Sequence, residues 1–232
     1  MARVLKIDNA LKKRFQRKET SRSVNKRDKR VFFLIVCEGE ATEPNYFKAL
    51  QKSLPPNSVN VIMDIKGTGR NTDSLVDFAI KYRDGSLQAY DRVWAIFDRD
   101  SFKDSTFNDA IQNGTNNDIQ VGWTNEAFEL WFLLHFQYVN NAMGREDYKS
   151  YLEREITNKM GKPYKYKKNA KDTYTILKTY GNQEQAIEWA KKLDNEFTCN
   201  RYATHNPTTK VYKLIEELAD PIAILNNRES KI

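Results

Sequence analysis

Acidic side chains follow two short apolar runs of this sequence. Residues 31–37 run into Glu38, and residues 93–97 run into Asp98 and, two positions later, Asp100. On extended backbone, side chains two residues apart project to the same side, so the two aspartates form a pair. A carboxylate cluster repels itself unless it is protonated or neutralised, and Mg²⁺ or Mn²⁺ is the usual solution. The pattern favours phosphoryl transfer or phosphodiester hydrolysis; the alternative for each single acid is that it caps a helix or a turn.

The two apolar runs predict the strands that position these acids. Both runs are rich in β-branched and aromatic residues, which is typical of strands buried on both faces of a parallel sheet. Open α/β sheets bind their ligands beyond the carboxyl ends of the strands, at the point where the strand order reverses. If the first and third strands are neighbours, as in a 2-1-3-4 order, Glu38 and the aspartate pair meet at that point.

From residue 31 onward, the chain alternates predicted strands and helices. Strands separated by single helices imply right-handed crossovers and a parallel sheet. We therefore predict an α/β, Rossmann-like fold with a parallel four-stranded sheet flanked by helices. Besides the two runs above, the predicted elements are strands at residues 59–65 and 118–123 and helices at residues 43–50, 72–84 and 126–138.

Two more acids open the last of these helices. If Asn125 caps it, Glu126 lies in its first turn and Glu129, three residues later, shares its face. Both are candidates for the second half of a metal site; the alternative is an ordinary acid stabilised by the helix N-terminus. Glu129 is the preferred candidate, because it lies in an apolar segment where burial without a partner would be costly. Glu43 is interpreted as structural or as an acid that orients a metal ligand.

Basic residues are concentrated in the first part of the chain. Residues 1–30 contain twelve Lys or Arg and three acids, a net charge of +9, whereas the whole chain carries +7. Such an arm can neutralise nucleic-acid phosphates whatever the base sequence, because this releases counterions. The alternative is a solvated tail.

Three further features are candidates for contacts with nucleic acid. The glycine-rich loop at residues 66–71 could wrap a phosphate, with Lys66 and Arg70 as its cations, although it matches no established phosphate-loop motif and could be a plain turn. His205 could donate a proton or contact a phosphate. A basic, tyrosine-rich segment suits a single-stranded or flipped nucleotide, unless it is a solvated loop. The candidates in that segment are Lys165, Lys167 and Lys168.

Length and composition exclude several classes of protein. The 232 residues suit one α/β domain with an appended segment, or two small domains. Cys37 and Cys199 lie far apart, which indicates neither a disulfide framework nor a zinc ribbon and fits a reducing cytoplasm. No apolar stretch reaches the length of a membrane span, and the start at residues 1–6 lacks the apolar h-region of a signal peptide, so neither membrane insertion nor secretion is expected. We predict a basic arm at residues 1–30, a catalytic core at 31–140 and a helical C-terminal region packed on it at 141–232.

Several motifs resemble those of known families. The Glu-Gly pair after the first strand and the later Asp-x-Asp pair resemble the Toprim catalytic domain of topoisomerases, primases and overcoming-lysogenization-defect (OLD) nucleases. Four segments resemble more closely the RloB-like family of bacterial defence proteins, with its AbiLii-like abortive-infection members. They are residues 37–47 (CEGEATEPNYF), 97–100 (FDRD), 124–135 (TNEAFELWFLLH) and 206–211 (NPTTKV). The resemblance covers roughly residues 31–220.

The resemblance implies a Toprim-like fold and a metal-dependent nuclease that cuts RNA, tRNA among the candidates, or DNA. It implies that Glu38 is the general base or a metal ligand, and that Asp98 and Asp100 bind one or two divalent ions. RloB-like proteins are encoded near ABC-type ATPases, which implies an RloA-like partner and a role as an anti-phage effector; a homo-oligomer fits equally well. The alternative is a non-catalytic nucleic-acid-binding or regulatory subunit of an ATPase complex.

Overall fold

A mostly parallel, five-stranded sheet forms the centre of the structure, a computed structural model. It describes residues 29–54, 59–69, 71–99, 103–221, 223–224 and 226. The strand order is β2-β1-β3-β4-β5, so the first and third strands are neighbours, which is the condition that brings their acids together. The strands are β1 (Lys29–Cys37), β2 (Val59–Gly67), β3 (Arg92–Asp98), β4 (Gln120–Asn125) and β5 (Thr208–Thr209).

The sheet is buried on both faces, as the apolar runs predict. In β1, Phe33 and Ile35 belong to the apolar cluster on one face, whereas Leu34 and Val36 belong to the cluster on the other. β3 alternates in the same way, and its side chains from Val93 onward are buried. Polar groups are therefore confined to the ends of the two strands, which is where Glu38 and Asp98 lie.

Helices cover both faces of the sheet. α1 begins one residue before the predicted helix, and α2 matches its prediction closely, whereas α3 lies between β3 and β4 where no helix was predicted. In α3, Phe107, Ala110, Ile111 and Gly114 are buried at helical spacing, but asparagines and a glycine weaken the sequence signal. The helices are α1 (Thr42–Ser53), α2 (Thr72–Gly85), α3 (Asp104–Asn116), α4 (Glu129–Leu133), α5 (Arg145–Met160), α6 (Thr173–Tyr180), α7 (Gln183–Asn195) and α8 (Val211–Ala219).

Two predictions about the elements are wrong. The sheet has a fifth strand, β5, which pairs antiparallel with β4 at Thr209 and Thr124; two residues are too few for a periodic signal. The helix predicted at residues 126–138 is also wrong, since only the five-residue α4 forms. The residues of α4 are all buried, so the sequence has no helical period from which its bounds could be predicted. Asn125 is thus not a helix cap: it ends β4, and its side chain donates to the Ala203 carbonyl over 3.1 Å.

The C-terminal helices share the apolar cluster on one face of the sheet. Tyr148 and Leu152 of α5, Leu177 of α6, Leu193 of α7 and Leu214 of α8 all belong to it. A continuous core therefore joins residues on both sides of position 140. No helix in the described ranges is long and apolar enough to cross a membrane.

Candidate carboxylate site

The end of β1 fixes the position of Glu38. Its backbone N–H donates to the Ile96 carbonyl over 2.9 Å, which continues the parallel pairing of Cys37 with Ile96. Its side-chain Oε2 accepts a hydrogen bond of 3.1 Å from the backbone N–H of Asp98. The acids at the ends of these neighbouring strands therefore meet.

Asp98 is buried, with 9% of its surface exposed. Its Oδ2 lies 3.5 Å from Nη2 of Arg145, the first residue of α5. Its Oδ1 is buried and has no hydrogen-bond partner among the described residues. Burial raises the pKa of Asp98 well above its usual range, and the charges of Glu43 and Glu129 raise it further. The carboxylate is therefore costly to keep charged without a cation.

Glu43 joins the site from the first turn of α1. It is 6% exposed, and its Oε2 has no hydrogen-bond partner in the described part of the chain. The close approach of Gly39 makes room for it, since a Cβ at that glycine would lie 2.2 Å from Oε2. Burial raises the pKa of Glu43, and the nearby charge of Glu129 adds to this. From the sequence, Glu43 is interpreted as structural or as an acid that orients a metal ligand; the structure places its carboxylate near Asp98 and Glu129.

Glu129 approaches the cluster from the start of α4. It is 7% exposed, and its Oε1 accepts a 2.9 Å hydrogen bond from the hydroxyl of Tyr166. Burial and the charge of Glu129 raise the pKa of that hydroxyl, so Tyr166 remains a donor. Glu43, Asp98 and Glu129 come from α1, β3 and α4, and Glu38 directly follows β1. The charges of the other three acids all act on Asp98. We call these four side chains the carboxylate cluster.

One predicted ligand that the structure describes, Glu126, contacts other partners. Glu126 precedes α4, so it does not share a helical face with Glu129 as predicted. Its Oε1 lies 3.5 Å from Arg99 Nη1 and accepts a 3.4 Å hydrogen bond from the Asn206 amide. Asp100 lies outside the described residues, and its role as a ligand stays a prediction.

The glycine-rich loop packs on the Glu38 turn. The backbone N–H groups of Thr68 and Gly69 donate to the carbonyls of Cys37 and Glu38, over 3.1 and 2.9 Å. These two donors are therefore occupied by the protein itself. Lys66 forms a 2.9 Å ion pair with Asp64, and Arg70 is outside the described residues. The loop helps to hold Glu38, while its predicted contact with phosphate stays a prediction.

The other candidates for nucleic-acid contact lie at separate places. Lys165 is exposed and 3.4 Å from Glu153, and Lys167 is also exposed, whereas Lys168 lines a pocket beside Glu129. His205 is only 3% exposed and stacks on Phe197, with 4.6 Å between ring centroids. The imidazole therefore faces packed aromatic rings rather than solvent. The basic arm, apart from residues 29 and 30, lies outside the described residues.

The carboxylate cluster suits a hard divalent cation by its chemistry. All four groups are carboxylates, and two buried oxygens, Asp98 Oδ1 and Glu43 Oε2, have no hydrogen-bond partner within the described ranges. Among the described residues, no group of three or more acidic, histidine or cysteine side chains is placed so that it could hold a metal ion by itself. Mg²⁺ in proteins takes one or two carboxylates together with waters and substrate phosphate, so it does not require such a cage. The residues therefore fit the ion by donor type and unsatisfied oxygens.

The sequence carries a signal for two residues that were missed. Glu43 is three, four and seven positions before Tyr46, Phe47 and Leu50, all buried on α1, so it belongs to the same buried face. Arg145 stands in the same relation to Tyr148 and Leu152 of α5. Helical spacing from buried residues therefore predicts that both side chains lie on the buried face of their helix. It does not predict which groups they contact.

A sequence model of the family described as RloB-like protein matches residues 33–218. This chain belongs to the RloB-like family. The match includes all four members of the carboxylate cluster, as well as Arg145 and Tyr166. No curated protein and no solved structure shows significant similarity to the chain.

Proposed function

We propose that this RloB-like protein is a divalent-cation-dependent nuclease that hydrolyses phosphodiester bonds of RNA, such as tRNA, or of DNA. One observation carries the proposal: Glu38, Glu43, Asp98 and Glu129 converge at the carboxyl ends of β1 and β3, and two of their buried oxygens have no described partner. Carboxyl ends of parallel strands are where open α/β sheets bind substrates. A structural role would satisfy those oxygens with donors rather than leave them buried.

Asp98, Glu43 and Glu38 are the residues that would hold Mg²⁺ or Mn²⁺, with Glu129 and Asp100 as further ligands. When bound, such an ion lowers the pKa of a water and stabilises the charge on the leaving oxygen of an in-line displacement. Neutralising the cluster also removes the electrostatic barrier that four carboxylates raise against a phosphate.

The protein groups around the cluster have separate tasks. Arg145 reaches Asp98 Oδ2 and also donates to the Glu126 carbonyl over 3.3 Å, so it orients the aspartate and offsets part of the negative charge. Tyr166 holds Glu129 through its hydroxyl. Glu38 is less buried than the other three acids, so it is the candidate general base if it does not serve as a metal ligand. A carboxylate in this position can accept a proton from an attacking water at Oε1 or Oε2.

The wider role is proposed from the resemblance of the motifs. The Glu-Gly and Asp-x-Asp pairs support a relation to Toprim domains and OLD nucleases, and family membership supports a relation to AbiLii-like abortive-infection proteins. We propose a nuclease effector of anti-phage defence, cytoplasmic and regulated by an ABC-type ATPase. The rival is a non-catalytic nucleic-acid-binding or regulatory subunit of such a complex, which would not need the carboxylates.

Cleavage by the purified full chain tests the proposal. Plasmid DNA, single-stranded DNA and total tRNA are incubated with Mg²⁺ or Mn²⁺ and with wild type, Asp98→Asn or Asp109→Asn. Asp109 is exposed on α3, so its variant makes the same chemical change away from the cluster. We expect cutting that needs the ion, is lost in Asp98→Asn and survives in Asp109→Asn. Equal cutting by both variants would contradict the proposal, as would no cutting even with the ATPase partner present.

A further inference from the structure

A pocket of about 240 Å³ lies beside the carboxylate cluster. The start of α4, the start of α5 and the tyrosine-rich segment after α5 contribute to its lining. Its lining residues are Glu129, Arg145, Glu146, Lys149, Tyr166 and Lys168. Glu129 belongs to both the pocket and the cluster, and Arg145 contacts Asp98 at 3.5 Å. A ligand in the pocket would therefore lie directly next to the proposed metal site.

Cations reach the pocket from two segments. Arg145 and Lys149 are four residues apart on α5, so they project from the same helical face, and Lys168 comes from the tyrosine-rich segment after α5. Three positive charges face two carboxylates, Glu129 and Glu146, and Glu129 already accepts the Tyr166 hydroxyl. The three cations that line the pocket thus outnumber its two carboxylates, and the pocket borders the carboxylate cluster.

The segment that carries Lys168 is held in place by hydrogen bonds to its main chain. The Lys168 carbonyl accepts a 2.7 Å hydrogen bond from the Thr42 hydroxyl, and the Asn169 carbonyl accepts one of 3.1 Å from Asn45. The Tyr166 N–H donates to Glu153 of α5 over 3.0 Å. α1 and α5 therefore both anchor the segment, which places Lys168 at the pocket before any ligand arrives. Preorganisation of this kind lowers the cost of ordering on binding.

We propose that this pocket binds a phosphate group of a single-stranded nucleic acid, next to the phosphodiester that the carboxylate cluster receives. The inference rests on the proposed nuclease function and adds the group that positions the substrate. An arginine fork matches the geometry of phosphate oxygens, and lysines add point charges. The pocket of about 240 Å³ has room for a phosphate group and not for a base-paired stem; a flexible single strand brings one phosphate into it with less deformation than a duplex. Arg145 is then a positioning residue shared by the pocket and Asp98.

Oligonucleotide binding in EDTA tests the inference apart from cleavage. Fluorescence anisotropy of labelled single-stranded RNA and DNA is measured with the full chain as wild type, Lys149→Gln with Lys168→Gln, or Lys81→Gln with Lys178→Gln. The control lysines are exposed on α2 and α6, so both double variants lose the same charge. Inorganic phosphate serves as a competitor, duplex DNA as the paired substrate, and thermal denaturation confirms folding.

We expect the pocket variant to lose about tenfold or more in affinity, because two charge-assisted contacts disappear. The slope of log affinity against log salt should become shallower by about 0.7 relative to wild type, the value for one single-strand phosphate contact. Phosphate should compete with the wild type more effectively than with the pocket variant. The control variant should lose much less affinity on both RNA and DNA, and the duplex should not depend on the pocket.

The outcomes separate this inference from the nuclease proposal. Equal affinities for the two double variants, or no binding of single strands by the wild type, would overturn the pocket inference, even if Asp98-dependent cleavage occurs. A selective loss in the pocket variant supports the inference, even if no cleavage is found with Mg²⁺, Mn²⁺ and the ATPase partner. In that case the nuclease proposal alone would fail.

Discussion

The carboxylate of Glu38 accepts a hydrogen bond from the backbone N–H of Asp98, with 3.1 Å between Oε2 and the amide nitrogen. The two residues are sixty positions apart, and the parallel pairing of β1 with β3 brings them together. The bond fixes one acid of the carboxylate cluster against the backbone of another. The charge and the hydrogen-bonding role of Glu38 can therefore be tested separately.

Glu38→Gln should abolish the charge while keeping an acceptor oxygen for the Asp98 N–H. We expect a loss of cleavage of about a hundredfold or more, typical of removing a general base or an electrostatic group. The free energy of unfolding should change little. Cleavage rates and urea denaturation are compared with Glu184→Gln, an exposed glutamate of α7. Equal rates in the two variants would exclude Glu38 from the reaction.

Gly39→Ala should displace Glu43 without disrupting the fold. The added Cβ would lie 2.2 Å from Glu43 Oε2, the far end of a flexible side chain, so that carboxylate must move. We expect Mn²⁺ affinity to fall about tenfold or more, with a stability change of about 1 kcal/mol or less. Gly85→Ala is the control, because nothing lies within 4 Å of its Cβ. Unchanged Mn²⁺ affinity in Gly39→Ala would show that Glu43 is not needed.

Stability of the ion-free protein should fall as the pH rises. Burial raises the pKa of Asp98, and the neighbouring Glu43 and Glu129 raise it further, whereas an unfolded aspartate titrates near pH 3.9. Between those two pKa values the folded state binds more protons than the unfolded state, so the free energy of unfolding declines with pH. The contribution of Asp98 to the free energy of unfolding is full below about pH 4. It is lost as the pH rises through the pKa of Asp98 in the folded state.

Asp98→Asn removes this titration and should flatten the decline. Urea denaturation in EDTA over a pH series compares wild type, Asp98→Asn and Asp109→Asn. The stability advantage of Asp98→Asn over wild type should grow with pH, and Mg²⁺ should reduce it by binding the wild type. Parallel curves for wild type and Asp98→Asn would mean that Asp98 titrates normally.

Tyr166→Phe should destabilise the protein by about 1–2 kcal/mol, because it removes a buried hydrogen bond to the Glu129 carboxylate. Tyr164→Phe is the matched control on the same segment, where the ring is only half-buried. Urea denaturation at constant pH measures both. If the two variants lose the same stability, the hydroxyl of Tyr166 does not hold Glu129 in solution.

The central sheet could be predicted because its strands are solid apolar runs with acids at their ends. Rules for crossovers fix their handedness but not the strand order, so the adjacency of β1 and β3 could be stated from the sequence only as a condition. The order β2-β1-β3-β4-β5 meets that condition and places Glu38 beside Asp98. β5 and the short α4 could not be predicted in this way. Two residues carry no period, and a segment that is buried on all sides shows neither a helical nor a strand pattern.

The candidate site was predictable only in part. Acids directly after strands were found, because the strand ends fix where they lie. Glu43 and Arg145 project from helices whose position depends on packing, so their meeting with Asp98 requires the tertiary structure. Glu126 was predicted to share a helical face with Glu129. That face does not form, because α4 begins only at Glu129.

Binding of Mn²⁺ to the apo protein, measured by electron paramagnetic resonance, tests the central claim most directly. Wild type is compared with Asp98→Asn combined with Glu43→Gln, and with the control Asp109→Asn combined with Glu184→Gln, which removes the same charge from exposed positions. We predict that wild type and control bind Mn²⁺ alike and that the cluster variant loses this binding. Equal binding in all three proteins, or none in the wild type, would contradict a divalent-cation site in the carboxylate cluster.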